Sequence, residues 1–389
     1  MKIAIVLNDD FTMWQFRRGL ISALCASGAE VWTITPPGPY VPKLEALGAR
    51  HHAVEVRRFA SPLADARLML KLYRPFVSER FDIVHTITVK PNVFGGLAAR
   101  LARVPRTSAS VSGAGYGFSS DCGWLVARAV PLLYGLAFRS VYRVWFQNED
   151  DLSLFVSRGL LAPEKGLLIR SEGVNLDEYN PHPLSPELAR SLRAELGVGE
   201  KELIVLMAAR VVWSKGVREF VEASEQVALK FPKVRFLLAG PLDPESPDPI
   251  PESYLLQKKS GQFRWLGFRS DLKNLLGLAD VVVHPSYYRE GVPTVLLEAM
   301  AMGKPILTTD NVGCRETVEP GQNGFLVPSR NSGALATAIE TLLGDDQLRL
   351  RFGLRSLEKV RAEFDEHNVI SRVMSELYGF GTAGRLGAG

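Results

Sequence analysis

The 389-residue chain contains no apolar run of the roughly 18 to 20 uncharged residues that a membrane span needs. Its start, MKIAIVLNDD, has no basic region or cleavage site and runs straight into aspartates, so no secretory leader is expected and the protein should stay in the cytoplasm. Cysteine is scarce. Cys25, Cys122 and Cys314 lie far apart with no Cys-x-x-Cys pair, which argues against a zinc site and against a disulfide framework. A nicotinamide dehydrogenase is excluded by the one glycine cluster that resembles its fingerprint, because SGAGYGF puts Phe118 where the last glycine of Gly-x-Gly-x-x-Gly should stand. No basic stripe interleaved with aromatics is present, so nucleic acid is not an expected partner.

What is present is a folded α/β chain. A hydrophobic fraction of 46% with 23% charged residues rules out extensive disorder. The length is too great for one core, and two domains are expected. Short β-branched runs alternate with amphipathic stretches, as when helices cover both faces of a parallel sheet. KIAIVL, EVWTIT, HHAVEV, DIVHTI, RTSASV and RVWFQN make a first set of strands; ELIVLMAA, VRFLLAG, FRWLG, VVVHPS and PILTT make a second. Between them the proline-rich, polar NLDEYNPHPLSPELARSLRAELGVGEKE places the boundary near residue 182. Residues 1–182 and 183–365 therefore read as two Rossmann-like domains, and 366–389 as a helix returning to the first domain followed by an unstructured tail, GTAGRLGAG. Sheets of this kind bind ligands outside the carboxyl ends of their strands, which directs attention to a cleft between the domains.

One segment, YYREGVPTVLLEAMAMGKPILTTD (287–310), joins these cues. VVVHPS upstream is a buried strand ended by Pro285, so Glu290 falls in a loop at a carboxyl end. Pro293 suits a first helical position, and Gly303 with Pro305 stops the helix after about ten residues. Glu298 then lies about a turn and a half inside that helix. Two carboxylates so spaced can each accept hydrogen bonds from a different diol of one extended ligand, while the N–H groups of Gly291, Val292, Pro293's successor Thr294 and the helix start receive an anion between them. Diol, phosphate, diol describes a nucleotide sugar. The alternative is that both glutamates are ordinary solvated surface residues.

The segment resembles the donor-binding signature of the retaining glycosyltransferases of family four. AARVVWSKGV, LGFRSDL and NVGCRETVEPGQNGFLV are similar to further parts of that family, and the likeness spans nearly the whole chain. It implies the GT-B fold, two Rossmann-like domains facing across a cleft. It also implies that Glu290 contacts the transferred sugar, Glu298 the ribose, Arg210 and Lys215 the donor diphosphate, and the Gly267–Phe268 backbone the base. No Asp-x-Asp ends an apolar strand, so the fixed cations Arg210 and Lys215, and no metal or other cofactor, are expected to stabilise the leaving diphosphate.

HTITVKPNVFGGLAARLARVP and SVSGAGYGF resemble the branch that extends sugars on undecaprenyl diphosphate. The donor implied is a UDP-sugar carrying an N-acetylhexosamine or hexose, and the acceptor a polyprenyl-diphosphate-linked saccharide. Lys90, Asn92, Gly113 and Gly115 are the candidates for approaching the acceptor diphosphate. Two departures stand out. NDDF replaces the usual Gly-Gly of the first loop, leaving Asp9 or Asp10 to orient an acceptor hydroxyl, and HTIT puts Ile87 where a second histidine stands in many members, so His85 is more readily a packed residue than a catalytic one. Between Arg50 and Asn148 there are 14 Lys and Arg against 5 Asp and Glu. LADARLMLKLYRPF and CGWLVARAVPLLYGLAFRSVYRVWF, with Arg67, Lys71, Arg74, Arg128, Arg139 and Arg143, suit peripheral binding at the anionic inner face of the plasma membrane. A nucleotide-sugar epimerase or hydrolase of the same architecture, or a non-catalytic nucleotide-sugar-binding partner, remains open on the residues alone.

Overall fold

The β-branched runs become thirteen strands in a computed structural model that describes residues 1–56, 62–118, 122–181, 183–259 and 261–381. The first seven are β1 (Lys2–Val6), β2 (Glu30–Thr35), β3 (Arg50–Ala53), β4 (Ile83–Ile87), β5 (Arg106–Val111), β6 (Arg143–Phe146) and β7 (Gly166–Leu168). They pair in parallel in the order β3-β2-β1-β4-β5-β6-β7. The second sheet holds β8 (Leu203–Ala208), β9 (Val234–Ala239), β10 (Phe263–Trp265), β11 (Val281–His284), β12 (Ile306–Thr309) and β13 (Gly324–Val327), in the order β10-β9-β8-β11-β12-β13 and again parallel. In each sheet the strand order reverses beside the first strand, at β1/β4 and at β8/β11. Those two reversals fix where an open parallel sheet can hold a ligand.

Two strands differ from the sequence reading. GFLV, read as part of a loop, is β13, and the three-residue β7 carries too little β-branched character to register. HHAVEV contributes only its first residues, in β3.

Contacts divide the chain into two units. One comprises Met1–Gly173, Arg289–Val292 and the chain from Glu366; the other comprises Val174–Tyr288 and Pro293–Asp365. Residue 182 and the tail from 382 lie outside the described residues. In the first unit, alternation along β1 sends Ile3 and Ile5 to one face and Ala4 and Val6 to the other. The first face is covered by helix Asp10–Ala26 through Ile21 and Leu24, and by helix Glu366–Val373 with the turn after it through Val369, Val373 and Tyr378. The second is covered by Leu68, Leu72 and Phe76 of helix Pro62–Glu79. The second unit packs Phe220, Phe236 and Phe263 around Val205, Met207 and Val281. Both sheets are buried on two faces, which is why their strands read as near-continuous apolar runs.

Candidate active site

In the second unit, the loops leaving five adjacent strands are stitched into one surface. After β8 the chain runs through Arg210 into a single 3-10 turn, Trp213–Lys215, and then into helix Val217–Ala228. Gly216 separates turn from helix at φ 80°, and a Cβ there would lie 2.1 Å from the Pro285 carbonyl oxygen, so only glycine lets this loop sit directly on the end of β11. The carbonyl of Ser214 accepts the N–H groups of Tyr287 (2.9 Å) and Tyr288 (3.1 Å) and the Ser286 hydroxyl (3.2 Å). Lys215 Nζ lies 5.7 Å from the centre of the Tyr288 ring. From the next strand, Thr309 Oγ1 donates to the Ser286 carbonyl and Asn311 Nδ2 to the Tyr288 carbonyl at 2.7 Å. At β9 and β10 the Gly240 N–H donates to the Gly267 carbonyl (2.8 Å), leaving the adjacent Phe268 side chain exposed.

Two cations sit on this surface. Arg210 is paired with Asp243 at 2.5 Å and stays 40% exposed, so its charge is already half answered. Lys215 is half-buried at the turn. Helix Thr294–Ala301 begins one residue later than the sequence suggests, with Pro293 as its cap at ψ 114°, and runs eight residues rather than about ten before Met302 and Gly303 end it. Glu298 is its fifth residue and only 4% exposed, which removes the solvated-surface reading for that carboxylate.

The segment Arg289–Val292 packs with the first unit. Asn148 Nδ2 donates to the Glu290 carbonyl (3.2 Å), Gln147 Oε1 accepts the Val292 N–H (3.2 Å), and Arg289 pairs with the fully buried Asp151 (2.5 Å). Burial pushes the Asp151 carboxyl up, and the Arg289 guanidinium opposes that shift. Gln147 Nε2 donates in turn to Glu172 (2.8 Å), which is ion-paired with Arg17. Sequence reasoning missed Gln147, Asn148 and Asp151. The signal was available: QN directly follows the apolar VWF of RVWFQN, where two amides are out of place unless something needs their hydrogen bonds. Gly113, at φ 97°, has its α-carbon so close to this segment that a Cβ would lie 2.5 Å from the Gly291 N–H nitrogen. Its close approach is thus to the chain's own Glu290–Gly291 backbone and not to a diphosphate; Gly115, also at positive φ (68°), turns the chain just beyond it.

The remaining first-unit candidates are largely occupied. Asp9 caps helix Asp10–Ala26, accepting the Thr12 N–H (2.6 Å) and hydroxyl (2.9 Å). Asp10 accepts the Tyr40 N–H at 2.7 Å. Lys90 is 9% exposed and paired with Asp65 at 2.6 Å, so it is neither solvated nor poised as an open cation. Asn92 is fully buried, donating to the Ser110 carbonyl (2.8 Å) and accepting the Thr86 hydroxyl (2.8 Å); it holds the end of β4 against β5. His85 is fully buried between the Tyr378 hydroxyl (2.5 Å) and Ser110 Oγ (2.7 Å), and burial holds its imidazole down to about 3, neutral at any physiological pH. It is a packed residue.

The profile described as "Glycosyl transferases group 1" matches residues 189–358, and "Glycosyl transferase 4-like domain" matches residues 12–170. The chain is 32% identical over 382 residues to the N,N'-diacetylbacillosaminyl-diphospho-undecaprenol alpha-1,3-N-acetylgalactosaminyltransferase of Campylobacter jejuni, covering 97% of this chain and 98% of that protein. It is 26% identical to the UDP-Gal:alpha-D-GlcNAc-diphosphoundecaprenol alpha-1,3-galactosyltransferase of Escherichia coli, over 75% of this chain and 74% of that one. Anabaena HepE, solved with UDP and glucose, superposes with a TM-score of 0.81 at 22% identity, covering 98% of this chain and all of that one, which speaks to the fold. The chain therefore belongs to the group 1 glycosyltransferases and has their GT-B fold of two Rossmann-like units.

Proposed function

We propose that this glycosyltransferase moves a sugar, an N-acetylhexosamine or hexose, from a UDP-sugar to a saccharide carried on a polyprenyl diphosphate in bacterial surface-glycan assembly. The observation that carries the reading is the stitched surface at the ends of β8 to β11, where Lys215 and Arg210 flank the sheet's reversal point. A leaving nucleoside diphosphate concentrates negative charge, and preorganised cations at a strand-end crevice meet it without reorganisation. The named substrates of the Campylobacter and Escherichia relatives are both diphospho-undecaprenol sugars. Retention follows if the acceptor hydroxyl attacks on the face the diphosphate leaves. The new C1–O bond forms as the C1–O(phosphate) bond breaks, and the hydroxyl proton passes to the departing phosphate oxygen. Screening UDP-sugars against a synthetic polyprenyl-diphosphate saccharide, with mass spectrometry of products, tests the reading; release of free sugar alone, or no product with any donor, would overturn it. Because fixed cations do the work of a metal, EDTA should leave the rate unchanged within about twofold; activity abolished by chelation and restored by magnesium would refute the metal-free step.

Among the described residues no helix is long and apolar enough to cross a membrane. Attachment to an anionic bilayer surface is the form of association proposed. Helix Pro62–Glu79 exposes Leu63, Arg67, Leu70, Arg74 and Val77 in an alternating stripe while burying Leu68, Leu72 and Phe76 on its other face. Helix Trp124–Phe138 exposes Trp124 (70%), Arg128, Leu132 (72%) and Leu136 at four-residue steps while burying Tyr134, Ala137 and Phe138. Both pack on the segment Pro91–Leu101, so the two stripes belong to one side of the first unit. Apolar tips enter the interface and arginines reach lipid phosphate. Trp124→Glu combined with Leu132→Glu should reduce co-sedimentation with phosphatidylglycerol-containing vesicles about tenfold, while transfer to a short-chain soluble acceptor persists. Equal sedimentation of variant and parent would sink the surface.

A further inference from the structure

Arg17 lies on the buried face of helix Asp10–Ala26 with Met13, Leu20, Ile21 and Leu24, and is only 2% exposed. Its guanidinium is ion-paired with Glu172 through both Nη atoms, the Nη2 contact at 2.5 Å, and lies 5.4 Å from the centre of the Trp145 ring. Taking such a pair out of water costs about as much as its attraction returns, and apolar side chains of similar size serve stability as well or better. What the carboxylate touches supplies a different reason for the pair. Glu172 Oε1 also accepts the Ser112 hydroxyl (3.0 Å) and the Gln147 amide through Nε2 (2.8 Å). Its backbone is fixed from both sides: Ser171 sits at φ 66°, left-handed for a non-glycine residue, and its Oγ accepts the Gly173 N–H at 2.9 Å. The other end of the Gln147 amide, Oε1, accepts the Val292 N–H (3.2 Å) and fills the space that a Cβ on Gly291 would need. All of these residues belong to the first unit.

A side-chain amide has a donor end and an acceptor end, and its partners decide which way round it sits. A carboxylate held against a guanidinium accepts only, so it takes the Nε2 end of Gln147 and turns Oε1 to the Val292 N–H. Reversed, the amide would set oxygen against carboxylate at one end and N–H against N–H at the other. A neutral side chain at position 172, able both to donate and to accept, would leave both orientations open. We propose that Arg17 and Glu172 are positioning residues for sugar transfer: their ion pair orients the Gln147 amide, which holds the Glu290–Val292 backbone and with it the Glu290 carboxylate. This deepens the proposed function and rests on it through Glu290.

The test compares, in the full chain, Arg17→Met combined with Glu172→Gln, which leaves neither charge buried alone, with Gln147→Leu and with all three changes together. Turnover should fall about tenfold in the first two, with KM for the donor within about threefold of the parent, because misplacing a group at the reacting centre acts on kcat. The triple variant should be no slower than Gln147→Leu, since the pair then has no amide to orient. Hydrogen exchange at Val292, read by mass spectrometry on the peptide that contains it, should quicken about tenfold in the charge-free and Gln147→Leu variants while the unfolding midpoint of the charge-free variant stays near the parent's. Glu172→Gln alone, an isosteric change, carries the same expectations for turnover and exchange if the charge-free chain is too unstable to assay. Parent-like turnover or parent-like exchange at Val292 in the charge-free variant overturns the proposal, as does a triple variant whose loss is the product of the two separate losses. Sugar transfer by the parent reports on the function separately: transfer intact with unaffected variants removes the positioning role and leaves the function standing, whereas quickened exchange in variants of a parent that transfers no sugar removes the function and leaves the orienting tie.

Discussion

Glu290→Ala should lower the turnover of sugar transfer by about 10²- to 10³-fold, with UDP affinity nearly unchanged and the unfolding transition intact. The fold should survive because the segment around Glu290 is held by its backbone and by its neighbours: Asn148 on the Glu290 carbonyl, Gln147 on the Val292 N–H, and Asp151 on Arg289. None of these bonds uses the Glu290 carboxylate. On the proposed function, the substitution would remove an anionic acceptor for the hydroxyls of the transferred sugar, whose ring gains positive charge as the diphosphate departs. An interaction that strengthens as charge develops appears in kcat more than in KM. Glu290→Gln should recover only part of the loss, since it keeps the shape and drops the charge. Turnover within about threefold of the parent in the alanine variant, at normal stability, would remove Glu290 from the chemistry.

The fold was legible because its signals are local. β-Branched runs of five or six residues separated by amphipathic stretches dictate parallel strands with covering helices, and in eleven of the thirteen strands the run could be read directly. β7 and β13 escaped because GLL and GFLV are short and begin on glycine, so their strand character comes from pairing to β6 and β12 and not from their own residues. The candidate site was legible only in part. Arg210 and Lys215 could be placed in the loop after β8, and Glu298 inside the helix that follows β11, by counting, because turn, cap and helix length are read along the chain. Lys90, Asn92 and Asp9 could not be assigned in the same way: whether a polar side chain at a strand end faces a ligand or a neighbour depends on residues distant in sequence, such as Asp65 for Lys90 and Ser110 for Asn92. The tie from Tyr378 to His85 spans 293 residues, beyond any motif.

Lys215→Ala should cost about 10²- to 10³-fold in kcat/KM, and Arg210→Ala only about tenfold. The difference follows from their surroundings. Arg210 is already paired with Asp243 and 40% exposed, so part of its field is cancelled and part screened by water. Lys215 is half-buried on a turn whose carbonyl at Ser214 is tied to Ser286, Tyr287 and Tyr288, and whose glycine sits on Pro285, so its ammonium is delivered to the end of β11 by a framework with little freedom. A charge held rigidly at a partly dehydrated position stabilises a developing diphosphate more than one that must be reoriented when the bond breaks. UDP should bind the Lys215→Ala enzyme more weakly as well, because the product keeps the charge. Millimolar magnesium should then restore part of the variant's rate while leaving the parent's unchanged, the cation supplying what the side chain had. If Arg210→Ala proves the more damaging change, or if magnesium accelerates parent and variant alike, Lys215 is not the charge that the leaving group meets.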